Sequence, residues 1–133
     1  MSQHRAPDDP REWVDRARSD LLIAHTKLTG VYLEDLCFHA QQAAEKAIKA
    51  VLITRGIHFP YIHDIARLLT LLEENGERIP RSVQKAAQLT RFAVFTRYPG
   101  VASTITEPEY QQAIRLAEAV LRWAERIVRK LKR

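Results

Sequence analysis

The stretch from about Tyr32 to Thr54 limits the possible folds more than any other part of the chain. Leu33, Leu36, Cys37, Ala40, Ala44, Ala47, Ile48, Val51 and Leu52 recur through it at helical steps, and Gly56 follows. A strand places alternate residues on one face, so it would scatter this set over both faces; an α-helix gathers it into one stripe. A glycine just past the stripe is a helix stop. The alanines leave room for a neighbouring helix to approach closely.

The partners of that helix are marked by prolines and caps. Asp9-Pro10-Arg11-Glu12 has an N-cap, a proline at the first helical position and capping-box spacing. Val14, Ala17, Leu21, Ala24 and Leu28 follow in helical register, and Gly30 closes that run. A short third helix is predicted from about Asp64 to Asn75, with Ile65, Leu68, Leu69 and Leu72 inward and Asn75-Gly76 as its stop. A fourth is predicted from Pro80 or Ser82 to Thr96, with Val83, Ala86, Ala87, Thr90, Ala93 and Val94 on one side; Pro99 disfavours a helical Tyr98. Thr106-Glu107-Pro108-Glu109 is a second capping box. It opens a fifth helix reaching about Leu131, nearly 40 Å at about 1.5 Å per residue. No strand pattern appears. The expected fold is all-α, an up-and-down antiparallel bundle of about five helices resembling a four-helix bundle. One domain fills residues 1–133, its ordered core running from about 9 to 131.

Composition narrows the setting. Apolar residues make up 46% of the chain, with no run near the roughly 20 residues that a membrane helix requires. Nothing after Met1 resembles a signal peptide. The single cysteine, Cys37, lies on the apolar stripe and cannot form an internal disulfide, so a cytoplasmic location is expected. The net charge of +5 resides in residues 122–133, which carry six basic side chains and one acidic. Such a tail either complements the negative end of a helix or attracts a polyanion.

Three stretches, in order, resemble the HEPN family (higher eukaryotes and prokaryotes nucleotide-binding). They are FHAQQAAEKAIKAVLITRG from Phe38 to Gly56, FPYIHDIARLLTLL from Phe59 to Leu72, and TRYPG from Thr96 to Gly100. The resemblance implies a helical bundle that is commonly dimeric. It also implies a partner: stand-alone prokaryotic members are often encoded beside a minimal nucleotidyltransferase, many in toxin–antitoxin modules. Catalytic members are metal-independent ribonucleases whose motif is an Arg and a His with four to six residues between them. Here Arg97 is present, but Ala102, Ser103 and Thr104 stand where that His would fall, and none can act as a general base as imidazole does. The resemblance therefore favours nucleotide or RNA binding over cleavage. One alternative is a toxin ribonuclease with an atypical site, using Arg97 with His63 as its base. Another is a purely structural dimerisation module.

Five residues are candidates for the site. Arg97 and Tyr98 stand at a helix junction broken by Pro99-Gly100; an arginine forks onto phosphate and a tyrosine stacks on a base. His63 precedes a helix start and either bonds the loop or meets a ligand. Lys46 and Lys49 lie on the polar side of the second helix with Gln41, Gln42 and Glu45. That side is either a solvated face with a Glu45–Lys49 pair or a groove in which a lysine meets phosphate. No metal-ligand spacing and no phosphate-cradling glycine loop is present, so neither metal nor cofactor is expected.

Overall fold

The computed structural model describes residues 5–95 and 104–130. Among the described residues all regular structure is helical. The order is α1 (Pro10–Ala24), α2 (Leu33–Thr54), α3 (Ile65–Glu74), α4 (Arg81–Gln84), a 3-10 stretch Lys85–Arg91, α5 (Phe92–Phe95) and α6 (Glu107–Lys130).

Helix α2 is the axis on which the others are laid, with α1 and α6 both packed along it. Its entire predicted stripe is buried except Leu33, and Ala43, Ala50, Gln41, Glu45 and Lys49 are buried too. Side-chain pairs give the directions. Asp20 of α1 meets His39 and Lys46 of α2, and Trp13, nearer the start of α1, meets Lys49, so α1 and α2 are antiparallel. Arg18, His25 and Lys27 meet Glu125, Glu118 and Glu107 in descending order, so α1 and α6 are antiparallel as well. Helices α2 and α6 therefore run the same way, and α3 to α5 carry the chain back between them.

The helix ends follow local chemistry where the sequence supplies it. Asp9 accepts from the Arg11 amide, Asp64 from the Arg67 amide, and Thr106 and Glu109 exchange the two bonds of a capping box. The first predicted capping box does not close: Glu12 accepts from the Arg5 amide and from Arg16 instead. Helices α2 and α3 end alike. Gly56 and Gly76 take positive φ, which lets the amides of Ile57 and Glu77 reach back to the carbonyls of Leu52 and Leu72.

Two expectations need correction. The first helix stops at Ala24, not near Leu28, whose side chain is 62% exposed. No Gly or Pro marks this stop. The Tyr110 hydroxyl of α6 donates to the Ala24 carbonyl at 2.6 Å, and the Thr26 hydroxyl donates to the Leu22 carbonyl. Of the last four carbonyls of α1, those of Leu22 and Ala24 are thus satisfied by side chains, the latter from 86 residues away, and those of Leu21 and Ile23 by the amides of His25 and Thr26. The fourth helix is not one continuous α-helix. From Val83 to Phe92 its buried residues are Val83, Ala86, Leu89 and Phe92, spaced by three, which is the 3-10 period; Ala93, in α5, is buried as predicted. Reading the segment with a period of 3.6 selected Ala87 and Thr90, which are only half-buried. Thr90 instead accepts the Ile65 amide at the start of α3.

Tyr110→Phe keeps the ring and removes the bond to Ala24. It should lower stability by about 1–2 kcal/mol in urea denaturation, the usual effect of leaving a buried carbonyl without its partner. Burial pushes the Cys37 thiol up to about 12, so it stays protonated at neutral pH. A thiol reagent at pH 8 should therefore leave folded protein almost unmodified and react at once when urea is added.

Candidate functional site

On α2, Gln41, Glu45 and Lys49 are one turn apart and share a face. That face lies against α1 and the segment leading into α3, and all three side chains are buried. Glu45 is the hub. It accepts from Gln41 Nε2 at 2.8 Å, Lys49 Nζ at 2.7 Å and His63 Nδ1 at 3.0 Å. Gln41 in turn accepts from Gln42. The Lys49 side chain is only 4% exposed, and its ammonium lies 5.9, 5.6 and 5.6 Å from the ring centres of Trp13, Phe59 and Tyr61. Three π faces and one carboxylate replace the water that a buried ammonium loses.

A second cluster lies further along the same seam. Buried Asp20 of α1 accepts from His39 Nδ1 at 2.9 Å and Lys46 Nζ at 2.6 Å. The two clusters share one plan, a carboxylate of low exposure holding one lysine and one histidine through Nδ1. In each, the imidazole Nε2 has no hydrogen bond among the described residues. A carboxylate on Nδ1 fixes the ring and its tautomer and leaves Nε2 as the group that can meet a ligand.

The folded chain therefore sorts the candidate residues. Lys49 and His63 are brought together by Glu45; Lys46 belongs to the neighbouring Asp20 cluster; Arg97 and Tyr98 lie outside the described residues. The Glu45–Lys49 pair forms as the helical spacing suggested, but the face carrying it is not solvated. Lys49 is enclosed and its charge is met by protein, whereas the His63 side chain is 41% exposed and Tyr61 beside it is 90% exposed. The Tyr61 and His63 rings meet edge to face at 5.7 Å. Sequence reasoning missed Asp20, His39 and the aromatic enclosure. One signal that α2 is covered on more than one side was available: Ala43 and Ala50 fall outside the predicted stripe, so α2 carries small residues on faces that a single-stripe helix exposes. Among the described residues no three His, Cys, Asp or Glu side chains form a metal set, and no helix is long and apolar enough to cross a membrane.

The profile of the HEPN domain family matches residues 10–127. The chain belongs to the HEPN family. Two solved structures share this fold over 90% of the chain. One is TT1696 from Thermus thermophilus, 33% identical with a TM-score of 0.77 and 98% of its length covered. The other is ST0689, described as an archaeal HEPN homologue, 29% identical with a TM-score of 0.71 and 97% covered. Among curated proteins, "Putative toxin MJ1304" of Methanocaldococcus jannaschii is 30% identical over 93 residues, which is 65% of this chain and 61% of that relative's length. These matches put the buried Glu45 hub inside a HEPN bundle and make the chain similar to a relative described as a "putative toxin".

Truncating the hub should be costly. Glu45→Ala leaves the Lys49 ammonium buried with no counter-charge and should destabilise by about 3–5 kcal/mol. Lys49→Met keeps the volume and leaves Glu45 with Gln41 and His63, so its loss should be clearly smaller. Guanidinium denaturation of both variants measures the difference.

Proposed function

We propose that this HEPN domain is a nucleotide- or RNA-associated binding module. In this reading it is the homodimeric partner of a minimal nucleotidyltransferase in a cytoplasmic toxin–antitoxin-type pair, and it binds without cleaving. The carrying observation is the shelf formed by His63 and Tyr61. A tyrosine ring open to solvent offers a stacking face for a base. An imidazole fixed through Nδ1 by Glu45 offers Nε2 to a phosphate or base edge. Arg97 and Tyr98, whose sequence context suggests phosphate and base contacts, belong to the same proposed site. Lys46 and Lys49 serve it indirectly, by neutralising the two carboxylates that hold the histidines. The preference for binding rests on where the histidines fall: none follows His63 in the chain, so the segment after Arg97 has no imidazole to complete the nuclease motif. The relative named "Putative toxin MJ1304" supports the toxin-linked setting.

Calorimetry with a panel of nucleotides, alone and with the partner enzyme co-expressed, tests the reading. Binding should weaken at least about tenfold in His63→Ala and in Arg97→Ala, the effect of one charge-assisted hydrogen bond. No binding of any nucleotide in either setting would overturn it.

One observation favours a second reading, cleavage. A carboxylate-oriented imidazole is the geometry of a general base. If His63 has that role, pure protein should cut single-stranded or structured RNA and His63→Ala should abolish the cut. Intact RNA after prolonged incubation leaves the binding reading standing.

A further inference from the structure

The basic character of α6 is sorted in space as well as in sequence. From Gln111 to Lys130 the exposed cations are Arg115, Arg122, Arg126, Arg129 and Lys130. The other exposed residues in that span are Gln111 and Gln112, and no carboxylate is among them. The two acids of the span, Glu118 and Glu125, are half-buried and turned toward α1, where His25 and Arg18 engage them at 3.0 and 2.5 Å. None of the five cations has an ion-pair partner among the described residues; Arg115 donates only to the Gln112 amide. At about 100° and 1.5 Å per residue the five fall along one side of the helix over about 22 Å, with Arg122, Arg126 and Lys130 about 6 Å apart. At the C-terminal end this row runs beside a groove of about 190 Å³ lined by Arg129 with Arg5, Arg11, Arg18, Asp15 and Glu125, in which Arg5, Arg11 and Arg18 are each paired with a carboxylate and so add no free cation to the row.

Completing the helix dipole does not account for this. That effect is confined to the last turn, whereas Arg115 and Arg122 lie well before it. A membrane surface fits poorly too, because the apolar side of α6 is buried in the bundle and has nothing to insert. An acidic protein partner would normally find an apolar centre within the charged ring, and the exposed face holds none. What remains is a ligand of regularly spaced negative charge. Four of the five cations are arginines, whose planar forks match phosphate. The major groove of an RNA duplex is too deep and narrow for a helix to enter, whereas a flexible strand can follow a straight row.

We propose that the exposed face of α6 is a track for the phosphate backbone of single-stranded RNA. It extends the nucleotide-associated reading to a strand but does not depend on the His63 shelf. Fluorescence anisotropy of a labelled oligouridylate, about 20 nucleotides long, with the full chain tests it. Five phosphate contacts predict a slope of log affinity against log salt near about −3.5, and Arg122→Gln with Arg126→Gln should flatten it by about 1.4 and weaken binding at least about tenfold. A control pair, Arg67→Gln with Arg78→Gln, makes the same change in net charge at exposed positions on other elements and should leave affinity within about twofold. Loss of strand binding in Arg122→Gln with Arg126→Gln and loss of mononucleotide binding in His63→Ala are separate readouts, so failure of this inference is distinguishable from failure of the shelf reading. The proposal is overturned if oligouridylate does not bind at about 50 mM salt, if both pairs of substitutions act equally, or if duplex RNA or phosphatidylserine vesicles bind better than the single strand.

Discussion

Close approach of two helices to the alanine-lined α2 is the constraint from which the rest of the structure follows. Ala40, Ala43, Ala44, Ala47 and Ala50 are all fully buried, and they occupy more of the helix circumference than one neighbour could cover. Small side chains let backbones approach, and van der Waals contact between close-packed helices then replaces the bulk that larger residues would supply. Once α1 and α6 are both seated on α2, any polar side chain of α2 near either seam loses its water. Gln41, Glu45 and Lys49 are in that position.

Their burial explains why the two carboxylate clusters exist. A lone Glu45 or Asp20 in that seam would be strongly disfavoured, and a lone Lys49 equally so. Each charge is therefore met inside the protein: Glu45 by a lysine, an amide and an imidazole, Asp20 by a lysine and an imidazole. No buried side-chain polar atom among the described residues lacks a partner. The same neutralisation organises the proposed site. Because Glu45 is fixed from below by Lys49 and Gln41, it can hold His63 in one orientation with the other ring nitrogen toward the surface. Packing of the core and presentation of the imidazole are thus one arrangement.

How legible this was in the sequence depends on the range of the interaction responsible. Local chemistry was readable: Asp64, Thr106, Gly56 and Gly76 mark helix ends where they were expected, and the stripe of α2 is buried as its period required. Events decided by distant residues were not. The end of α1 depends on Tyr110, far along the chain, and no local signal at Ala24 announces it. The 3-10 stretch was hidden because Val83 and Ala86 fit either period; only the burial of Leu89 and Phe92 separates them. For the site, the i,i+4 pairing of Glu45 and Lys49 was legible, yet its burial was not, since that depends on Trp13, Phe59 and Tyr61 arriving from other segments. The ordered motifs carried the family, as motifs do when each residue answers a local demand.

The charge distribution completes the account, since α1 and α6 share their ions unequally. Helix α1 supplies Arg18, its C-cap His25 follows, and Lys27 lies just beyond, all directed at the acids of α6. These contacts orient the two helices, but they also withdraw Glu118 and Glu125 from the surface of α6. The arginines of α6 are then left facing solvent without the i,i+4 acids that commonly accompany them on a helix surface. Bundle stability alone does not require this, because surface ion pairs contribute little wherever they form, and pairing within α6 would have served as well. Directing both acids of the span toward α1, and outward the cations that have no ion-pair partner among the described residues, gives the same bundle together with one face of exposed cations. Residues 1–121 are charge-balanced, so the part of the excess carried by Arg122, Arg126, Arg129 and Lys130 lies along a single helix edge, where an incoming polyanion would relieve the repulsion among them.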